Sequence, residues 1–275
     1  MGSSINIPYF YNLSNSRDLT FKPRIYIDNN LILHTEYREA FENSNLITDF
    51  SINRDDSNTS SHIFLSLDGK LDDITNYDLK LQNLNIDNYL KIHDIKSYTP
   101  IIKSDSVLSS HLRINKDIDE NTRLSSAVRL YEDLSKKNSD KYQYIFPDFD
   151  FSKSIELDES YNGQFNFSSS GYQKFYDTNI NETLINNDFE FESYDSLSAG
   201  GIVSNYSFLL KNFNTYSENS TVYDNKNDHE IFGTFLLKND VGNARDYNYS
   251  EVLNDTPNRS GHTIRNERYK YTKLD

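Results

Sequence analysis

Leu19-Thr20-Phe21-Lys22-Pro23-Arg24-Ile25-Tyr26-Ile27, then Asp28-Asn29-Asn30, then Leu31-Ile32-Leu33-His34-Thr35-Glu36-Tyr37-Arg38, is the stretch on which the fold turns. Leu19, Phe21, Pro23, Ile25 and Ile27 fall on one face; Thr20, Lys22, Arg24 and Tyr26 fall on the other. Side chains alternate faces along a strand but recur every 3.6 residues around a helix, so this period of two reads as β. Asn and Asp tolerate the left-handed backbone of a tight hairpin, which makes 28–30 a turn. The chain returns with Leu31, Leu33, Thr35 and Tyr37 against His34, Glu36 and Arg38. One face suits an apolar surrounding and the other suits water.

Working outward, the alternation recurs at Ile63, Leu65 and Leu67, and at Tyr77, Leu79 and Leu81 against Asp78, Lys80 and Gln82. Later arms include Leu108 to Ile114, Leu124 to Leu130, Tyr142 to Phe146, Phe165 with Phe167, and Ile202 to Leu210. Roughly ten to thirteen up-and-down strands are expected, with no helix of consequence. Polar stretches at 53–60, 133–140 and 217–228 resemble the longer loops on one side of a membrane barrel. The alternation weakens beyond about 230. The expected organisation is therefore a barrel-like wall over 1–230 and an unassigned segment over 231–275.

Composition narrows the surroundings of such a sheet. The apolar fraction is 36%, tyrosine included, below the roughly 45–50% of an ordinary soluble domain. A net charge of -14 would suit disorder, but 21 Tyr and 17 Phe do not. A membrane barrel needs one apolar residue in two, keeps a polar lumen and places aromatics at its interfaces, which reconciles both observations. A soluble β-sandwich or solenoid from an AT-rich genome remains the alternative. No apolar run approaches the 18 or so residues of a spanning helix, so entry into a membrane would be by strands. The first residues, Met1 to Ser4, have no signal-peptide pattern, and an outer-membrane protein lacking one is expected to be a fragment. The acidic balance argues against nucleic acid. With no cysteine, disulfides and thiolate metal sites are excluded.

Motifs for catalysis are sparse. There is no G-x-S-x-G elbow, the six His lie in different segments, and Gly200-Gly201 is far from a phosphate-binding loop. Asp148 and Asp150 share a strand face and could hold a hard cation, but a solvated lumen explains them as well. Asp55-Asp56 and Asp72-Asp73 read as turn residues. No enzyme activity, cofactor or metal ion is expected. Pro8 lies inside an otherwise strand-like run and cannot donate a ladder hydrogen bond, so it belongs at a sheet edge or a weak seam.

Ile7-Pro8-Tyr9-Phe10-Tyr11-Asn12-Leu13, Asp18-Leu19-Thr20, Pro23-Arg24 and Glu36-Tyr37-Arg38 together resemble the lipopolysaccharide-assembly barrel LptD, the organic solvent tolerance family. Weaker echoes follow at Asp87-Asn88-Tyr89-Leu90 and Tyr144-Ile145-Phe146-Pro147. The resemblance covers about 5–216, and its first forty residues carry the specificity. It implies all-β antiparallel up-and-down strands forming part of a large outer-membrane β-barrel in a Gram-negative cell envelope. The barrel would insert lipopolysaccharide into the outer leaflet through a lateral gate between its first and last strands, where prolines shorten the pairing. Pro8 matches one gate proline.

The implied partners are lipopolysaccharide, the plug lipoprotein LptE and the periplasmic bridge protein LptA. Lys22, Arg24, His34 and Arg38 are the lumen-side candidates for sugar and phosphate contacts, and are equally what any wet lumen face carries. The chain departs from the family in lacking the periplasmic jellyroll, the first strand, the closing half of the wall and the linking cysteines. Two other readings stay open: a different outer-membrane channel or transporter, and a soluble carbohydrate-binding β-protein.

Overall fold

A computed structural model describes residues 3–27, 30–54, 59–96, 101–102, 104–137, 139–158, 161–176, 179–220, 227–241 and 264–274. The strands are β1 (Ser4–Asn6), β2 (Tyr9–Ser14), β3 (Arg17–Tyr26), β4 (Leu31–Ala40), β5 (Ser44–Arg54), β6 (Thr59–Lys70), β7 (Thr75–Leu84) and β8 (Val107–Asp119). They continue as β9 (Thr122–Asp133), β10 (Tyr142–Glu156), β11 (Gly163–Tyr176), β12 (Asn181–Ser193), β13 (Ser196–Leu197), β14 (Ile202–Glu218), β15 (Asn227–Val241) and β16 (Ile264–Leu274). One short helix, α1 (Tyr89–His93), lies between β7 and β8.

All the strands belong to one open antiparallel sheet, and from β3 onward each main strand pairs with the next, β13 being a short addition to β14. The sixteen strand segments among the described residues exceed the ten to thirteen expected, because β1 and β2 are halves of one edge run and the weakly patterned end contributes β15 and β16. β15 pairs with β14 along its whole length and so carries the same sheet across the boundary expected at 230. No helix among the described residues is long and apolar enough to cross a membrane, a statement that does not bear on strands.

Register sorts the side chains into two faces. On one, Leu46, Leu67, Leu79, Leu112 and Val128 stand side by side across β5 to β9. Farther along, Ile155, Phe165, Phe191, Phe208 and Phe235 do the same across β10, β11, β12, β14 and β15. Gly171 lies on this face opposite Phe149, and a Cβ there would stand 2.9 Å from the Phe149 ring. Among the described residues no other element packs on these rows: Leu112 is 42% and Val128 46% exposed.

The opposite face of β3 to β6 is polar and buried, with Thr20, Lys22, His34, Glu36, Asp49, Ser51, Asn53 and His62 all covered. That is the reverse of a soluble half-buried sheet, where the apolar face is the covered one. The faces read from the alternation of 19–38 are the observed ones.

The cover comes partly from the connection between β7 and β8, residues 85–106. Its described residues fold onto the inner face. Tyr89, Leu90, Ile95 and Ile101 join Phe64, Leu84 and Leu108 in a buried apolar cluster. Gln82 of β7 ties down the far end of the connection and the start of β8: its Nε2 donates to the Ile101 carbonyl at 2.9 Å and its Oε1 accepts from the Ser109 N–H at 2.8 Å. Lys141, in the turn before β10, reaches Asp87 at 2.8 Å and Glu132 at 2.9 Å. Burial works against the Lys141 charge, but these two carboxylates hold its pKa above the ordinary lysine value.

Smaller expectations resolve locally. Asp72 does close a turn, its Oδ1 accepting the Ile74 N–H at 2.9 Å. Asp55-Asp56 and Asp28-Asn29 lie outside the described residues, although Tyr26 N–H donates to Asn30 O across the 28–29 turn. Pro147 sits inside β10 rather than at its start. The register shifts between Ile145 and Asp148, a bulge that accommodates the missing N–H.

Candidate functional site

Two adjacent inner-face rows build a buried polar cluster. Lys22, His34, Ser51 and His62 stand opposite one another across β3 to β6. Next to them run Thr20, Glu36, Asp49 and Phe64. Residues two apart on a strand share a face, so each row can hydrogen-bond diagonally to the other. His34 Nε2 lies 2.8 Å and His62 Nε2 2.5 Å from the same atom, Asp49 Oδ1. Lys22 Nζ reaches Glu36 Oε2 at 3.4 Å. Glu36, Asp49 and Ser51 have 0% exposure.

The helix completes the cluster from above. Ser51 Oγ is 2.7 Å from both His62 Nδ1 and the Tyr89 hydroxyl. Burial pushes the Tyr89 phenol up to about 12, against the Ser51 hydrogen bond, which works the other way. His93 Nδ1 meets the Tyr26 hydroxyl at 3.3 Å and its Nε2 meets the Asn53 amide at 3.2 Å. The Arg24 guanidinium donates to the carbonyls of His93 and Asp94, which end the helix.

Three of the six histidines therefore meet at one place although they are far apart along the chain. The alternation could have shown that His34 and His62 both face inward, since each sits beside outward apolar residues. It could not show the register that makes them neighbours, nor that 85–106 turns back over them.

Lys22, Arg24, His34 and Arg38 all lie on the inner face, and each has a protein partner. Lys22 holds Glu36, His34 holds Asp49, Arg24 holds the helix end, and Arg38 Nε donates to Asp18 Oδ1 at 2.7 Å. Arg38 stands away from the other three and is partly exposed. Asp148 and Asp150 also face inward, at a cavity of about 290 Å³ lined by Arg113 and Arg129. Arg129 pairs with Asp148 at 2.5 Å.

Ser51, His62 and Asp49 form a hydrogen-bonded line with the residue types of a nucleophilic triad. A serine oxygen with no exposed surface and a tyrosine already bound to it offers no approach to a substrate in this state.

Pro8 separates β1 from β2, both of which, among the described residues, pair only with β3. The register is the same on both sides of the break, so Ile7 stands opposite Pro23 and Pro8 opposite Lys22. The Ile27 N–H donates to the Ser3 carbonyl, which sets the odd residues of the edge run as those whose N–H and C=O face β3. Pro23 therefore removes the donor that would meet Ile7 O. Pro8 removes one that would point away from β3, into the free edge.

No protein-family model matches the chain, and no curated protein matches it.

Proposed function

We propose that this chain forms part of the wall of a large outer-membrane barrel that assembles lipopolysaccharide into the outer leaflet, and that its β1–β2 edge is one side of a lateral gate. The observation that carries the reading is the inversion of the faces: unbroken apolar rows outside and a buried charged network inside. Lipid tails cover the outer rows, as in any transmembrane barrel. The inner face, partly plugged by residues 85–106, borders the polar lumen. Transport of this kind needs no covalent chemistry.

The gate assignment is supported by the two prolines. Pro8 deprives any strand that closes onto the edge of one ladder donor, and Pro23 loosens the edge run's own attachment to β3. An amphiphile leaving sideways needs a seam that opens at such a cost. By the family resemblance, LptE would fill the lumen and LptA would deliver the lipid from the periplasm.

Cell fractionation tests the wall. The full-length protein is expected in the outer membrane as a heat-modifiable band, and a soluble protein with unchanged migration would remove the reading. The gate is tested by Pro8→Val, which restores a donor on the free edge. Surface lipopolysaccharide should fall, and an undiminished amount would leave the wall but remove the gate.

A further inference from the structure

Glu36 and Asp49 stand directly opposite each other in the β4–β5 ladder, and neither has exposed surface. Like charges in that arrangement destabilise a strand pair. Lys22 answers the charge on Glu36. Asp49 Oδ1 in turn stands within hydrogen-bond reach of two imidazole rings, those of His34 and His62.

The geometry points to a divalent transition-metal site, of the kind that takes Zn²⁺, formed by His34, Asp49 and His62. Both Nε2 atoms converge on one carboxylate oxygen, and the three ligand atoms lie within 4.8 Å of one another. Ligands around tetrahedral Zn²⁺, with bonds near 2.0–2.1 Å, stand about 3.3 Å apart. An ion at the centre therefore moves each of the two close pairs apart by less than about 1 Å. Two imidazoles and one carboxylate are a borderline donor set, whereas Ca²⁺ and Mg²⁺ want oxygen shells.

The outer partners fit the same assignment. Ser51 Oγ at His62 Nδ1 fixes that ring so that Nε2 faces the site, and Tyr89 in turn fixes Ser51. The fourth position is left for water. Because the ligands come from three consecutive strands and the outer partner from the helix, the ion fastens β4, β5 and β6 beneath the inward-folded connection. Nothing in this assignment depends on what the barrel transports.

Full-length protein extracted in detergent, stripped with a chelator and titrated with Zn²⁺ tests it, with Co²⁺ as the spectroscopic probe. About one equivalent should bind, and Co²⁺ should give the visible absorption of a low-coordinate site with nitrogen donors. His34→Ala and His62→Ala should each weaken Zn²⁺ binding by roughly 100-fold or more, and Ser51→Ala, which keeps all three ligands, by roughly 10-fold. Heat-modifiable migration reports whether each variant is folded. Failure of the intact protein to take up Zn²⁺ or give the Co²⁺ absorption would overturn the site whatever the variants do. So would uptake that folded His34→Ala and His62→Ala leave unchanged.

Discussion

Leu112→Arg separates a lipid-facing wall from a solvent-facing one. Leu112 is the sixth of thirteen residues in β8 and lies on the outer face between Leu79 and Val128. A strand rising about 3.3 Å per residue and tilted about 45° puts it within roughly 3 Å of the height of the strand's midpoint. Arginine at the bilayer midplane costs about 2–4 kcal/mol, a factor of roughly 30 to several hundred in the folding equilibrium. The same change at a water-exposed site costs within about 0.5 kcal/mol.

Ile118, five residues nearer the end of β8 than its midpoint and also exposed, supplies the internal control. At about 12 Å from the midplane it reaches the rim of an apolar band about 25 Å tall, where arginine costs about 0–1 kcal/mol. Guanidinium unfolding from bilayers, read by loss of heat-modifiable migration, should therefore rank Leu112→Arg well below Ile118→Arg and the parent. Two variants that unfold together within about 0.5 kcal/mol of the parent would refute a lipid-facing outer surface.

Three further outcomes are expected. Phe64→Ala empties the centre of the apolar cluster and should destabilise the protein by about 3–5 kcal/mol, with protease cleavage appearing first within 85–106. Lys141→Met leaves Glu132 and Asp87 without their shared cation and should cost about 1–2 kcal/mol, read as faster hydrogen exchange around α1. The Asp72 carboxyl is held below its ordinary pKa by the Thr75 side chain and then by the Ile74 N–H. Its contribution to the β6–β7 turn is therefore complete above the unfolded value and lost as pH falls through the folded one. Amide exchange at Ile74 and Thr75 should quicken on acidification in the parent, whereas Asp72→Asn should show fast exchange at neutral pH already.

Where every residue belongs to a repeat of two, the sequence is sufficient: 19–38 shows strand and face, and the β3–β4 register agrees with both. It fails where the determinant is non-local. Residues 84–108 lose the alternation but keep Leu84, Ile86, Leu90, Ile95 and Ile101, a density of apolar side chains that a solvated loop does not need. What they pack on is set by Phe64, some twenty residues away, and by the strand register. The His34–Asp49–His62 cluster is hidden for the same reason. Each residue is an ordinary inner-face side chain on its own strand, and only the pairings of His34 with Ser51 and of Ser51 with His62 bring them together. The strands after 227 were obscured differently: β15 carries Gly233, Thr234 and Lys238 within its run, and its partner β14 supplies the pairing that its own pattern signals weakly.

The edge and the network oppose each other in a way that bears on how such a wall could open without unfolding. β3 is attached to β4 through an unbroken ladder and through Lys22–Glu36 beneath it. Toward β1 and β2 it loses the bond that Pro23 cannot donate to Ile7, and those strands bury almost nothing. Pairing energy thus falls steeply across a single strand, from a side fastened by charged hydrogen bonds to one held by a broken backbone ladder. The order of events under denaturant follows from this: amides of β1 and β2 should exchange in the native state while those of β4 and β5 remain protected up to global unfolding.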